Sequence, residues 1–154
     1  MADFNIYCAG PIDLGKDIPN WRDGLRKAIS ATSKHSAVIF DPSTSYKVTT
    51  GTYPGLPCST YIEEVNKMAL QLADIFVVCL PAATASVGTP IEIDMAHKAD
   101  KSIFILTDIP YGKSVYLNNR IPLSNWFHFS DQRDFEIALL QLVDCLGGTY
   151  KRAG

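Results

Sequence analysis

The chain has 154 residues, 47% of them hydrophobic and 19% charged, which is enough apolar material for one substantial core, so a single domain over 1–154 is expected. Fourteen basic against sixteen acidic side chains give a formal charge of −2, and no run of Lys or Arg exceeds two, which excludes the electrostatic footprint of a nucleic-acid-binding protein. No stretch approaches the ~20 apolar residues of a membrane span, and the opening MADFNIYCAG lacks a charged segment followed by a long apolar one, so a soluble, unsecreted, cytoplasmic protein is expected.

Short apolar runs alternate with amphipathic stretches along the chain. FNIYCAG (4–10) reads as a strand running into a Gly10-Pro11 turn. A helix over 19–34 follows, with Pro19 in its first turn, where a missing N–H is harmless. AVIFDP (37–42) is the second strand, and the long segment 43–58, rich in Gly, Pro, Ser, Thr and Tyr, reads as a loop. The spacing predicts a helix over 59–73, where Thr60 and Glu63 match a capping box. DIFVVCLP (74–81) is the third strand, followed by a helix over 89–100 that has Pro90 in its first turn and a second capping-box pair in Thr89 and Glu92. SIFILTD (102–108) is a strand, 109–125 a second long loop, and WFHF (126–129) a last strand. A helix over 131–146 closes the domain, stopped by Gly147-Gly148.

Alternating strands and helices of these lengths make right-handed crossovers. They predict an α/β domain with a flavodoxin-like, doubly wound, five-stranded parallel sheet in three α/β/α layers. In such a sheet a ligand lies beyond the carboxyl ends of the strands, so the two long loops, the Gly10-Pro11 turn and the start of helix 89–100 should converge on it.

Cys8, Cys58, Cys79 and Cys145 form no C-x-x-C pair, and His35, His97 and His128 are scattered. Small hydrophobes in a reducing compartment account for the cysteines, and no metal is expected. Neither G-x-G-x-x-G nor G-x-x-x-x-G-K-[ST] occurs, so no cofactor is expected either.

Glu92 stands out because it lies in the first turn of a helix whose apolar face is expected to run through Ile91, Met95, Ala96 and Ala99. The preceding Ser86-Val87-Gly88-Thr89-Pro90 brings a glycine-containing turn into that helix, where free N–H groups favour an anionic group. Spacing alone leaves two roles open, completion of a capping box with Thr89 and attack as a carboxylate nucleophile on an anomeric carbon. Tyr7, in the first strand, is a hydroxyl donor able to orient that carboxylate, or else an aromatic core residue.

Four pieces in order, Asn5-Ile6-Tyr7-Cys8-Ala9-Gly10-Pro11, Ala73-Asp74-Ile75-Phe76-Val77-Val78, Ser86-Val87-Gly88-Thr89-Pro90-Ile91-Glu92-Ile93-Asp94-Met95-Ala96 and Lys101 entering a strand, resemble the nucleoside 2-deoxyribosyltransferase family with its related nucleotide N-glycosidases. Tyr111-Gly112-Lys113 and Asp134-Phe135 extend the likeness. The resemblance implies that Glu92 is the nucleophile and that Tyr7 hydrogen-bonds it and the sugar. It further implies a nucleoside or nucleotide and a free base as small-molecule partners, bound around Gly10, Pro11, Asp13, Asn66, Ser86, Gly88 and Thr89. It implies a homo-oligomer too, in which a neighbouring subunit's segment completes each pocket; Asn118 and Asn119 fall in that segment, and ordinary turn formation is their alternative.

Two departures bear on substrate. Many relatives carry an Asp at the position of Asn66, and an amide cannot serve as general acid, although it can bind a sugar hydroxyl or base edge. Glu63, about one turn earlier, is a candidate substitute, with its cap role toward Thr60 as the alternative. Ser86 stands where transferases often place an Asp and the related hydrolases a phosphate-binding Ser, yet Asp13 would repel a phosphate; Lys16 could compensate, or else be a solvated loop charge. Asp74 reads as a structural turn residue and Asp94 as solvated surface facing away from Glu92. The leading expectation is 2-deoxyribosyl transfer between bases. A 5′-monophosphate nucleotide N-glycosidase and a non-catalytic nucleotide-binding sensor are the alternatives.

Overall fold

The computed structural model describes residues 4–10, 21–32, 37–42, 59–81 and 88–153. Five strands, β1 (Phe4–Ala9), β2 (Ala37–Phe40), β3 (Ile75–Leu80), β4 (Ser102–Thr107) and β5 (Trp126–His128), form one sheet in the order β2-β1-β3-β4-β5. Every neighbouring pair is parallel. The chain reverses its direction of winding between β1 and β3, which places the topological switch point at their carboxyl ends. This is the flavodoxin-like arrangement expected from the sequence.

The strands are almost uninterrupted apolar runs because helices cover both of their faces. Side chains alternate between the faces. Ile6 and Cys8 of β1, with Ile75, Val77 and Cys79 of β3, pack beneath α1 (Trp21–Thr32) and α5 (Gln132–Ala153) through Leu25, Ile29, Leu139 and Leu142. Tyr7, Ala9, Phe76 and Val78 point the other way, onto α2 (Ser59–Leu72) and α3 (Gly88–Lys98) through Leu70, Ile93 and Ala96. Tyr7 therefore belongs to the face that carries the helix of Glu92.

Local anchors explain the element ends. The Lys101 ammonium donates to the carbonyls of Gln71 (3.1 Å) and Ala73 just past α2, so a cation holds acceptors that the helix leaves open. Asp74 is the structural residue expected: its carboxylate accepts from the Asn5 N–H at 2.9 Å and its own N–H donates to the Asn5 carbonyl at 2.8 Å, tying β1 to the entry of β3. Asp131 receives the N–H groups of Arg133 and Asp134 through its carboxylate and starts α5.

Two expectations are corrected. The last helix runs through Gly147-Gly148 to Ala153. Each glycine costs about 1 kcal/mol relative to Ala inside a helix, no proline follows, and the buried row Phe135, Leu139, Leu142 and Leu146 anchors the helix ahead of them. Segment 109–125 is not a plain loop, since it contains a short helix α4 (Val115–Asn118) and a 3-10 turn over Leu123–Asn125. Ser114 caps α4 by accepting from the Leu117 N–H at 3.2 Å, and Leu117 and Ile121 are buried beneath it. Pro19 and the expected loop 43–58 lie outside the described residues. No helix among the described residues is long and apolar enough to cross a membrane.

Candidate active site

Tyr7 is fully buried on β1, and its register partners on both sides are aromatic: Phe40 on β2 and Phe76 on β3. The ring stacks on Phe76 at 4.9 Å and 3° and on Phe40 at 5.4 Å and 23°. Three parallel strands thus fix the phenol by register. Its hydroxyl donates to Oε2 of Glu92, which is the fifth residue of α3 and so stands in the second turn, because the helix starts at Gly88 and not at the first-turn register expected for Glu92.

The inward row of α3 is Thr89, Ile93 and Ala96, all buried, with Glu92 half-buried beside them. This corrects the apolar face expected from spacing, because Ile91 and Ala99 are exposed and Met95 only partly covered. The helix is rotated so that its tightest contact with the sheet runs through Ile93. Glu92 stays next to the buried row, since it lies three residues from Thr89 and four from Ala96. Thr89 is the second residue of the helix, and the carboxylate it was expected to pair with is engaged by Tyr7. The same holds for Thr60, the second residue of α2, while Glu63 is exposed and pairs with Lys67 at 3.4 Å. Glu63 is not placed to substitute as an acid.

Burial raises the Glu92 carboxyl above the ordinary carboxylate value, while the Tyr7 hydrogen bond and the positive charge of Arg22 act in the opposite direction. The Tyr7 hydroxyl is held far above its usual value, first by burial and then by the negative charge of Glu92. Tyr7 is therefore a permanent donor and Glu92 the titrating partner. The buried thiols of Cys8 and Cys79 are each pushed up to about 12 by desolvation, which keeps them as inert core groups.

Gly10 ends β1 with φ +144°, and a Cβ built there would stand 2.5 Å from the carbonyl oxygen of Cys79. Only glycine lets the chain leaving β1 pass this close to the end of β3 at the switch point. Asn66 lies on α2 one turn before buried Leu70, on the side that packs against the Tyr7 face. Its Oδ1 is buried and has no hydrogen-bond partner among the described residues. Gly88 opens α3. Pro11, Asp13, Lys16 and Ser86 lie outside the described residues.

The Asn118 side chain is engaged locally, and Asn119 is placed by its backbone. The Asn118 amide oxygen accepts from the Gly112 N–H at 3.3 Å, and Asn119 ends α4 with its N–H donated to carbonyls of that helix. Asp94 is more than solvated surface: it pairs with Lys98 at 2.9 Å and with Arg120 at 3.1 Å, and both hold its carboxyl below the ordinary range. Arg120 also lies over the Tyr116 ring at 3.9 Å, and the Tyr116 hydroxyl donates to the carbonyl of Pro90 in the first turn of α3. Segment 115–120 therefore fastens the helix of Glu92 from outside.

Arg22 is the buried charged group beside the candidate site that sequence reasoning did not single out. It is 6% exposed in the first turn of α1, donates to the carbonyls of Gly10 (3.2 Å) and Cys8 (3.4 Å), and lies 3.1 Å from Asp41. That Nε–Oδ1 approach is close enough for an ion pair but is not aligned as a hydrogen bond. The signal was present: an arginine opening the helix after the Gly10-Pro11 turn, and an aspartate directly after the second strand, both at the carboxyl edge of a parallel sheet.

No family model and no curated protein matches the sequence. Among solved structures, a 2-deoxyribosyltransferase from Bacillus psychrosaccharolyticus aligns over 86% of this chain and 90% of its own, with TM-score 0.60 and 14% identity. The structural neighbours thus include a 2-deoxyribosyltransferase. A conserved protein from Enterococcus faecalis V583 aligns over 98% of this chain and 99% of its own, with TM-score 0.56 and 14% identity. An NADH:FMN oxidoreductase in its apo form aligns over 95% and 89%, with TM-score 0.53 and 12% identity. At such identities the likeness is one of fold. A transferase and an oxidoreductase share it, so the side chains at the carboxyl edge must decide the chemistry.

Proposed function

We propose that this protein cleaves or exchanges the N-glycosidic bond of a nucleoside, with Glu92 as nucleophile and 2-deoxyribosyl transfer between bases as the reaction. The observation that carries the proposal is the buried Tyr7 hydroxyl donating to the Glu92 carboxylate at the carboxyl ends of the strands. A donor that never ionises holds one oxygen of a carboxylate whose own ionisation burial resists. That pairing positions the other oxygen and keeps it weakly solvated, as a nucleophile requires.

In the proposed cycle the Glu92 oxygen forms a bond to C1′ while the C1′–N bond breaks, and its electron pair leaves with the base, which takes up a proton. A nitrogen of a second base, or water, then forms the new bond to C1′ and returns the carboxylate. Transfer and hydrolysis differ only in the acceptor. Asn66 supports a bound polar substrate, because an unpartnered buried acceptor costs about 1–3 kcal/mol and a sugar hydroxyl or base N–H would satisfy it. A small-molecule site needs neither metal nor cofactor for this reaction. Completion of the pocket by Asn118 or Asn119 of a second copy, in a homo-oligomer, belongs to the same proposal.

The test is product analysis after incubating wild type and Glu92→Ala with deoxynucleosides and their 5′-monophosphates, with and without a second base. A new nucleoside that requires the second base and disappears in Glu92→Ala supports transfer. Free base and sugar phosphate from the monophosphates alone would replace it with nucleotide N-hydrolysis, with Ser86 as the residue to examine. Turnover retained in Glu92→Ala would refute both, and tight binding without turnover in wild type would favour a sensor.

A further inference from the structure

Arg22 has no role in the reaction as written above, and its setting is hard to explain by stability alone. Burying a guanidinium requires a compensating charge and several acceptors, and a buried ion pair adds little or nothing over well-packed apolar side chains. Here the compensation is elaborate. Asp41 stands 3.1 Å from Nε and also receives Arg26 at 3.5 Å, the two carbonyls at the end of β1 accept from Nη2, and the Trp21 ring lies 4.7 Å from the guanidinium carbon.

The residues it joins are the immediate neighbours of the Tyr7 platform. Cys8 follows Tyr7 on β1, and Asp41 follows Phe40, the ring stacked on Tyr7 from β2. Gly10 is the point where β1 passes over Cys79 of β3. One forked side chain therefore ties together the carboxyl ends of the two strands that carry Tyr7 and Phe40. A lysine could bring the charge but not this fixed fork.

We propose that Arg22, backed by Asp41, is a positioning residue for the Tyr7–Glu92 pair: it braces the ends of the strands that carry Tyr7 and Phe40 and holds a buried positive charge at the carboxyl edge of the sheet. The inference rests on Glu92 and Tyr7 being the reacting pair. Among the described residues, the groups acting on the Glu92 ionisation are Tyr7 from β1 and Arg22 from α1, and those acting on Tyr7 are Glu92, Arg22 and Cys8. Arg22 opposes burial in both, so it favours the ionised nucleophile without touching substrate.

The experiment compares wild type, Arg22→Gln and Arg22→Lys by the pH dependence of kcat and KM for deoxynucleoside turnover. In parallel, the Glu92 carboxyl is titrated by 13C NMR on glutamate-labelled protein, with Glu92→Gln assigning the signal. Arg22→Gln should move the Glu92 midpoint and the acid limb of turnover to higher pH, and should lower kcat about tenfold to a hundredfold with KM changed much less. Arg22→Lys should restore the midpoint while recovering only part of kcat.

An unchanged Glu92 midpoint in a folded Arg22→Gln would overturn the proposal, as would equal midpoints and equal losses of kcat and Tm in both variants, which mark a merely structural residue. A shifted midpoint in a protein whose wild type turns over no deoxynucleoside would uphold the link and refute the reaction instead. Should Arg22→Gln not fold, Asp41→Asn reads the same link with opposite sign. It leaves the guanidinium without its counter-charge, so the Glu92 midpoint should fall, and a midpoint at the wild-type value would overturn the proposal.

Discussion

Removing one oxygen atom from Tyr7 isolates what its hydroxyl does. In Tyr7→Phe the ring keeps its stacking partners Phe40 and Phe76 and its place in the core, so packing changes little. What disappears is a hydrogen bond to an ionised carboxylate, a class worth about 1.5–3 kcal/mol. If all of it acts in the transition state, turnover falls between about tenfold and about a hundredfold, since each ~1.4 kcal/mol is one decade. The same change removes an interaction that lowers the Glu92 pKa, while burial, which raises it, remains. Glu92 must be ionised to attack, so the acid limb of the kcat/KM profile should move to higher pH. The assay is chromatographic separation of substrate and product nucleosides across a pH series, with Tm followed alongside. A variant with kcat within twofold of wild type and an unmoved acid limb would refute the claim that Tyr7 orients the nucleophile.

Three further outcomes follow from the same contacts. Glu92→Gln should abolish turnover yet gain stability over wild type as pH rises: burial puts the folded carboxyl above its unfolded value, so wild type loses stability between the ordinary carboxylate range and the raised folded value. Denaturant titrations at a series of pH values check this, and a gap between the two proteins that shrinks as pH rises would contradict it. Gly10→Ala meets both φ +144° and the Cys79 carbonyl at 2.5 Å, so it should destabilise by roughly 1–3 kcal/mol and disturb turnover, read by urea unfolding and by rate. Lys101→Ala removes two charge-assisted contacts at the end of α2 and should cost about 0.5–2 kcal/mol with little effect on kcat, which separates helix anchoring from chemistry.

Most of the fold was legible because its signals are local. All five strands were bounded to within two residues, since runs such as IFVVCL are long enough to be buried on both faces and too β-branched to prefer a helix. Misreadings occurred where a weak local preference met a strong tertiary one. Gly147-Gly148 reads as a stop, but the row from Phe135 to Leu146 docks α5 so firmly that two glycines do not end it. The segment after β4 has the composition of a loop, while Ser114 at a cap and two buried side chains, Leu117 and Ile121, are enough to fold part of it.

The candidate site divides along the same line. Glu92 could be singled out because its spacing from Ala96 turns a carboxylate toward the inward side of its helix, and Tyr7 because a phenol near the switch point could reach the start of that helix. Whether Glu92 capped its own helix or served another group depended on a partner 85 positions away in sequence, and the bond to Tyr7 is the kind of fact that spacing does not encode. Arg22 carried only a faint signal: an arginine in the first turn of an amphipathic helix is ordinary, and becomes unusual only when Asp41 and two strand-end carbonyls close around it. The shared fold of a deoxyribosyltransferase and an NADH:FMN oxidoreductase gives this distinction its weight. A fold can be common to both, whereas the chemistry rests on side chains such as the phenol stacked on two phenylalanines and the carboxylate bonded to it, so substitutions at Tyr7, Glu92 and Arg22 test function where the fold does not.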